Sequence, residues 1–261
     1  MNALNKISGD RILLVGSTGV LGRGYALALA KLDLQLIIAD TEQSDVMLFA
    51  AQLGVKGFEV DISSEDSVIK CIQYVEEQLG GLDSVINNAA ATGEGLMNAG
   101  NVFEDFENYP LSVWQKTIDI NLTGAFLLAR EAGKLIKKTS KNGSLINIAS
   151  IYGVVAPDHR IYEGQPFKSF PGYSASKSGV IGLTKWLATW WGGTIRVNCV
   201  TPGGVFNDHN DAFVKAYSNK VPMGRMANRE ELVGIIIYLL SDSASYVTGQ
   251  NFIIDGGFTT W

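Results

Sequence analysis

Short, almost continuously apolar runs alternate along the chain with longer stretches of mixed apolar and polar character. The apolar runs fall at 11–15, 34–39, 57–60, 84–87, 144–149, 195–200 and 252–254, most of them rich in Ile, Val and Leu. Short runs without polar alternation mark strands buried on both faces, as in a parallel sheet. Between them, 24–32, 64–79, 179–191 and 230–241 read as helices. The second opens on Ser64-Glu65-Asp66 and stops at Gly80-Gly81, a sound start and a sound stop. The fourth opens on two acids, which suit the positive end of a helix. This alternation predicts an α/β fold, a doubly wound, mainly parallel seven-stranded sheet with helices on both faces. No repeat, low-complexity tract or Pro/Ser-rich linker interrupts it, so a single domain over 1–261 is expected.

Two stretches break the rhythm. Residues 93–110 and 154–172 are irregular and mix aromatic with polar side chains. Loops longer than ~15 residues are usually functional or disordered, and the aromatic content argues for ordered lids. With 203–224 they are the expected substrate loops.

Composition removes several classes. With 46% apolar and 18% charged residues the chain is not of the disordered type. Lys plus Arg number 21 and Asp plus Glu 26, for a net charge of −5, which argues against a nucleic-acid partner. No apolar run approaches the ~18 residues of a membrane span; the richest, 232–240, is interrupted by Gly234. The first residues, MNALNKISGD, lack the apolar core of a secretory signal. Cys71 and Cys199 lie far apart in apolar segments, which fits free thiols in a reducing cytoplasm better than a disulfide framework. Neither His159 nor His209 is spaced with Cys or acids as a metal set, so no metal is expected.

The 29 glycines among 261 residues exceed the usual ~7%, and three follow the first strand: Gly16-Ser17-Thr18-Gly19-Val20-Leu21-Gly22. A strand-to-helix turn of glycines is either a packing turn or a phosphate cradle, in which backbone N–H groups and the helix dipole meet a pyrophosphate. Asp40 follows the second strand at close to the ~20-residue offset where an acid grips a ribose. Its carboxylate accepts from both ribose hydroxyls and repels a 2′-phosphate. The expected cofactor is therefore a dinucleotide, NAD in preference to NADP.

Tyr173 and Lys177 are spaced i, i+4, on one face of a helix. A phenol with a pKa near ~10 is a poor base at neutral pH, but a neighbouring ammonium favours its ionised form. Such a pair can exchange a proton with an alcohol or ketone while a nicotinamide exchanges hydride. On spacing alone it could equally be an ordinary helical pair.

The order of markers along the chain resembles the short-chain dehydrogenase/reductases. These are the glycine turn, Asp61, Asn87-Asn88-Ala89-Ala90, Asn121, Ser150, Tyr173 with Lys177, and Pro202-Gly203, followed by the tail from Tyr246 to Gly257. The resemblance covers roughly 11–258 and implies a Rossmann-type fold. It implies that Ser150 hydrogen-bonds the substrate oxygen, that Tyr173 is the acid/base, and that Lys177 lowers its pKa and binds the nicotinamide ribose. Asn121 would hold a water relaying protons from Lys177. Asp61 and Ile62 would meet the adenine, Asn88, Ala89 and Ala90 the adenosine ribose, and Pro202, Gly203 and Val205 the nicotinamide.

The chain departs from the family pattern in three places. Val20 stands at the middle-glycine position, giving Gly16-x-x-Gly19-x-x-Gly22; Ala90 replaces a usual glycine; and 23 residues separate Ser150 from Tyr173, about ten more than usual. The added residues fall in 154–172, where His159, Arg160 and Lys168 point to an anionic substrate through charge-assisted hydrogen bonds. The other reading of that stretch is a solvated loop against a neighbouring subunit.

The segment 157–177, with Gly203–Asn207 and Trp261, resembles a bacterial branch associated with flagellin and surface-glycan sugars. A dehydrogenase acting on a polar, sugar-derived secondary alcohol or ketone is therefore expected. The alternatives are a 3-oxoacyl or other apolar ketone reductase and a non-catalytic NAD(H)-binding sensor. Trp186, Trp190 and Trp191 crowd one helix, and the resemblance implies a homo-oligomer, dimer or tetramer; core packing would also account for the rings.

Overall fold

The computed structural model describes residues 6–91 and 93–261. Part of the N-terminal stretch read against a secretory signal lies outside them. Strands β1 (Arg11–Val15), β2 (Gln35–Asp40), β3 (Lys56–Glu59) and β4 (Ser84–Asn87) form one half of the sheet. Strands β5 (Gly143–Ile148), β6 (Ile195–Pro202) and β7 (Asn251–Ile254) form the other. Among the described residues these seven strands make one sheet in the order β3-β2-β1-β4-β5-β6-β7, and every pairing is parallel. The sheet is thus wholly parallel, as the uninterrupted apolar runs anticipate, and its winding reverses between β1 and β4.

Helices cover both faces: α1 (Val20–Leu29), α2 (Val46–Leu53), α3 (Glu65–Leu79), the single turn α4 (Gly93–Leu96) and α5 (Leu111–Ile118). They are followed by α6 (Gly124–Thr139), α7 (Pro171–Trp190), α8 (Asp211–Ser218) and α9 (Val233–Leu240). On one face Leu13, Val85 and Val197 pack with Val68, Leu128 and Leu187. On the other Ile12, Ile38 and Val200 pack with Tyr25, Phe49 and Ile236. This explains why the strands carry no polar alternation.

Helix ends follow local chemistry. The Ser64 side chain accepts from the Ser67 N–H, Glu65 and Asp66 occupy the first turn of α3, and Gly80 ends it in the left-handed region. Helix α7 starts earlier than the expected 179, because Pro171 is pre-organised for a first helical turn. The expected helix 230–241 begins instead as a tight turn, Arg229–Leu232, before α9.

In a parallel sheet all carboxyl ends lie along one edge. Gly16, Asp40, Asp61, Asn88, Ser150 and Pro202 end or follow β1 to β6 in turn, so the topology brings together residues up to 186 positions apart in sequence (202 − 16). The crevice beyond this edge, at the reversal of strand order, is where open α/β sheets bind ligands.

Candidate active site

The glycine turn is shaped by backbone crowding at two positions and by open space at the third. Gly16 has φ +77°, and a Cβ there would meet the Ala89 nitrogen at 2.4 Å. A Cβ on Gly22 would stand 2.1 Å from the Gly16 carbonyl oxygen. At Gly19 the nearest atom to a Cβ is 4.0 Å away. Gly19 is also the N-cap of α1 and caps it with no side chain, so the first N–H groups of the helix open onto that space. These features fit a pyrophosphate. A groove of about 490 Å³ runs from Thr18, Val20 and Arg23 to Phe206, Asn207 and Arg229.

Asp40 is held against this turn. Its Oδ2 accepts from the Thr18 N–H at 2.8 Å and the Thr18 hydroxyl at 2.7 Å, and its Oδ1 from the Thr41 N–H. Arg23 donates to the Thr18 carbonyl oxygen and, from one guanidinium nitrogen, to both carboxylate oxygens of Asp45, so its charge is already matched. Ser17 is buried and donates to the Ala39 carbonyl oxygen. Across the strand reversal, the Asn88 side chain donates to the Gly16 carbonyl oxygen at 2.6 Å, and Ala89 and Ala90 follow it at the surface edge. Asp61 is exposed with its Oδ1 engaged by Ser63, while Ile62 is buried against Gly124. Gly203 packs so closely on Asp255 that a Cβ would lie 2.8 Å from its Cα, and Val205 bridges to Ala227.

Ser150, Tyr173 and Lys177 converge beyond the end of β5. Burial raises the Tyr173 phenol above its ordinary pKa, and a hydrogen bond from the Ser150 side chain acts in the opposite sense. The Lys177 Nζ donates to the Ile148 carbonyl oxygen at 2.8 Å and lies 5.8 Å from the centre of the Tyr173 ring. Lys177 is 3% exposed, and burial pushes its amine down to about 8.

Asn121 belongs to the same cluster. It sits in a π-helical turn, Asp119–Thr123, between α5 and α6, and such turns are frequent at functional sites. Its side chain accepts from the Ala91 N–H at 2.7 Å and donates to the Ser176 hydroxyl at 2.9 Å. Ser176 in turn donates to the Tyr173 carbonyl oxygen. Asn121 therefore ties the β4 loop to the turn of α7 that carries Tyr173, a link that only the resemblance could anticipate; Ser176 gave no signal of its own.

The substrate candidates are placed differently. Arg160 donates bidentately to Asp158, which also receives Lys220 at 2.5 Å. Lys168 pairs with Asp105 at 3.0 Å. His159 is exposed. The added segment is thus moored on one side to 93–110 and on the other to the chain beyond α8. Aromatic rings complete the mooring: Phe167 lies 5.1 Å from Phe213 and 6.3 Å from His209, centre to centre. Burial lowers the His209 pKa, with Asp208 acting against it. No group of three or more His, Cys, Asp or Glu able to hold a metal exists among the described residues.

Three tyrosines missed by sequence reasoning line this region. Tyr152 and Tyr162 hydrogen-bond through their hydroxyls at 2.7 Å, and the Gly204 N–H donates to the Tyr217 hydroxyl. The position of Tyr152, two residues after Ser150, was the signal available.

The family model described as Enoyl-(Acyl carrier protein) reductase matches residues 16–259. The chain is 32% identical to an uncharacterized short-chain type dehydrogenase/reductase y4vI of Sinorhizobium fredii, over 96% of this chain but only 44% of that protein. It is 30% identical to the 3-oxoacyl-[acyl-carrier-protein] reductase FabG of Aquifex aeolicus, over 97% of this chain and 98% of that one. A crystal structure of a short chain dehydrogenase from Leptospira borgpetersenii with bound NAD+ superposes with a TM-score of 0.86 at 32% identity, covering 99% of this chain and 96% of that one. The Rossmann-type sheet, the ordered markers along its carboxyl edge and these similarities agree: the chain belongs to the short-chain dehydrogenase/reductase family, compact in type, and is an NAD(P)-dependent oxidoreductase of that kind.

Proposed function

We propose that the protein is an NAD-dependent dehydrogenase/reductase of a secondary alcohol or ketone on a polar, sugar-derived substrate, in the manner of the flagellin and surface-glycan branch. The observation that carries the reaction is the buried convergence of Ser150, Tyr173 and Lys177. The nicotinamide, when bound, supplies the hydride acceptor for an alcohol or the hydride donor for a ketone. Ser150 holds the substrate oxygen. In oxidation Tyr173 takes the hydroxyl proton as the C–H bond gives up its electron pair and the carbonyl forms; in reduction it returns that proton. Lys177, still mostly protonated at neutral pH with its amine at about 8, stabilises the ionised phenol and binds the nicotinamide ribose. Asn121 fixes the turn carrying Tyr173 and serves the proton path from Lys177.

The turn from Gly16 to Gly22 would hold the pyrophosphate. Asp40 would accept from the adenosine ribose, supporting NAD over NADP, since its carboxylate repels a 2′-phosphate. Asp61, Ile62, Asn88, Ala89 and Ala90 would border the adenosine, and Pro202, Gly203 and Val205 the nicotinamide. Because Arg160 and Lys168 are each held by a carboxylate, the anionic character of the substrate has less support than its polarity.

The similarity to a 3-oxoacyl-[acyl-carrier-protein] reductase favours one other reading, reduction of an acyl-carrier ketone. Purified protein assayed with NADH and NADPH against keto-sugars and 3-oxoacyl thioesters separates the two. Turnover of the sugars with NADH is expected; turnover of the thioesters alone would replace the first reading with the second.

We further propose that the chain works in the cytoplasm as a single domain and assembles as a homo-oligomer. Supporting assembly, Trp186 and Trp190 stack on each other at 5.3 Å on the exposed side of α7, 57% and 69% exposed. Trp191, by contrast, is buried against Gly133. Light scattering is expected to give a multiple of 28.1 kDa; a clean monomer at micromolar concentration would remove the interface.

A further inference from the structure

We propose that the hydroxyl pair of Tyr152 and Tyr162 is a specificity element that recognises a hydroxyl group on the carbon next to the reacting one. The proposal rests on the reading of Tyr173 as the reacting phenol.

Tyr152 is tied to the reaction centre through its own backbone, since its N–H donates to the Ser150 Oγ at 3.2 Å. Tyr162 comes from the added segment, and its hydroxyl meets that of Tyr152 at 2.7 Å. Two hydroxyls carry two protons and share one hydrogen bond, so one O–H and several lone pairs are left over. Among the described residues neither hydroxyl has another hydrogen-bond partner, whereas the Tyr217 hydroxyl beside them already accepts the Gly204 N–H. Both phenols also lie within electrostatic reach of Tyr173. Burial raises both, Tyr162 to about 12, so they remain neutral donors at neutral pH.

The surrounding contacts hold the pair in place and remove competing polar groups. Asp158 takes both Arg160 and Lys220, and Gln165 accepts from the Asn210 side chain at 2.6 Å. The ring of Tyr162 rests 5.5 Å from Phe213 and 6.1 Å from Phe167. Apolar side chains Ile151, Ile161 and Val221 pack around these rings. A spare donor in such a setting discriminates strongly, because a ligand lacking the matching oxygen leaves it unpaired. The group selected is a neutral hydroxyl vicinal to the carbinol, as in a polyol or a sugar ring.

The test compares cis-1,2-cyclohexanediol with cyclohexanol, bound to the NADH complex and titrated by saturation-transfer NMR. Wild type is expected to prefer the diol by about tenfold, the worth of one satisfied hydrogen bond. In the double variant Tyr152→Phe/Tyr162→Phe the ratio of the two dissociation constants should fall towards one, because either single variant leaves the other O–H free to donate; if the double variant does not fold, the wild-type ratio alone decides. No preference in wild type, or a preference kept in the double variant, would overturn the proposal. Turnover of the diol with NAD+ is measured in parallel. Its absence alongside the expected binding ratios would count against the dehydrogenase reading and leave the recognition element standing.

Discussion

The Lys177 Nζ stands 5.8 Å from the centre of the Tyr173 ring while donating to the Ile148 carbonyl oxygen at 2.8 Å. One bond fixes the ammonium to the end of β5, and the i, i+4 spacing on α7 brings the phenol to it. The sheet edge and the helix face therefore meet at a single charge.

On the proposed mechanism, Tyr173→Phe removes the hydroxyl that moves the substrate proton and leaves the ring packing intact. Turnover is expected to fall by about 10²–10⁴-fold, with NADH affinity, followed by nicotinamide fluorescence, nearly unchanged. A variant retaining most of its rate would show that another group carries the proton.

Lys177 also links stability to pH. Its amine is at about 8 in the folded chain against 10.5 for a free side chain, so between those values the unfolded state binds the extra proton. Stability from this group is therefore lowest below pH 8, rises through the window from 8 to 10.5, and is level above it. The span is on the order of 3 kcal/mol. In Lys177→Met that rise should vanish, so the difference between wild-type and variant urea midpoints should grow with pH across this window, and turnover should fall although the fold is kept. Parallel wild-type and variant curves would refute the burial of a charged Lys177.

The three glycines of the cradle should separate folding from binding. Gly22→Ala forces a Cβ to within 2.1 Å of a backbone oxygen, and a loss of roughly 2 kcal/mol or more in stability is expected. Gly19→Ala enters open space, so stability should change by no more than ~0.5 kcal/mol while NADH binding weakens by about tenfold or more. Unchanged NADH affinity in Gly19→Ala, measured by fluorescence titration, would move the pyrophosphate elsewhere.

Asp40→Ser keeps a hydroxyl for the ribose and removes the charge that repels a 2′-phosphate. The ratio of kcat/KM with NADPH to that with NADH should rise by about tenfold or more. Because the Thr18 N–H and hydroxyl lose their acceptor, a small fall in thermal midpoint should accompany it. A ratio that does not move would place cofactor choice outside Asp40.

The sheet was readable in the sequence because a strand covered on both faces has no reason to alternate, and runs such as Leu13-Leu14-Val15 say so directly. Chemistry that is local in sequence was readable too: the glycine turn, the helix start at Ser64, and the i, i+4 pair on α7. Helix α2 escaped because Val46–Leu53 is apolar almost throughout and presents no helical period. The run from α5 to α6 escaped because its hydrogen bonding changes register in the π-helical turn around Asn121. Long-range pairings were out of reach for a different reason. Nothing near Lys168 in sequence reveals that Asp105 will take its charge, whereas Arg160 is matched by Asp158 only two residues before it, so two side chains that looked free for an anion are occupied. The same holds for Tyr152 and Tyr162, whose contact depends on how the added segment folds back.

The ion pairs that moor residues 154–172 give the solvent a separate hold on the protein. Lys168–Asp105 and Lys220–Asp158 are both partly open to water, where added salt screens attraction over about 8 Å at physiological strength and over still less above it. Ser150, Tyr173 and Lys177 are sheltered from that screening. Ionic strength thus acts on how tightly residues 154–172 are held, and acidity acts on the protonation of Lys177, so the two solution variables address different parts of the protein.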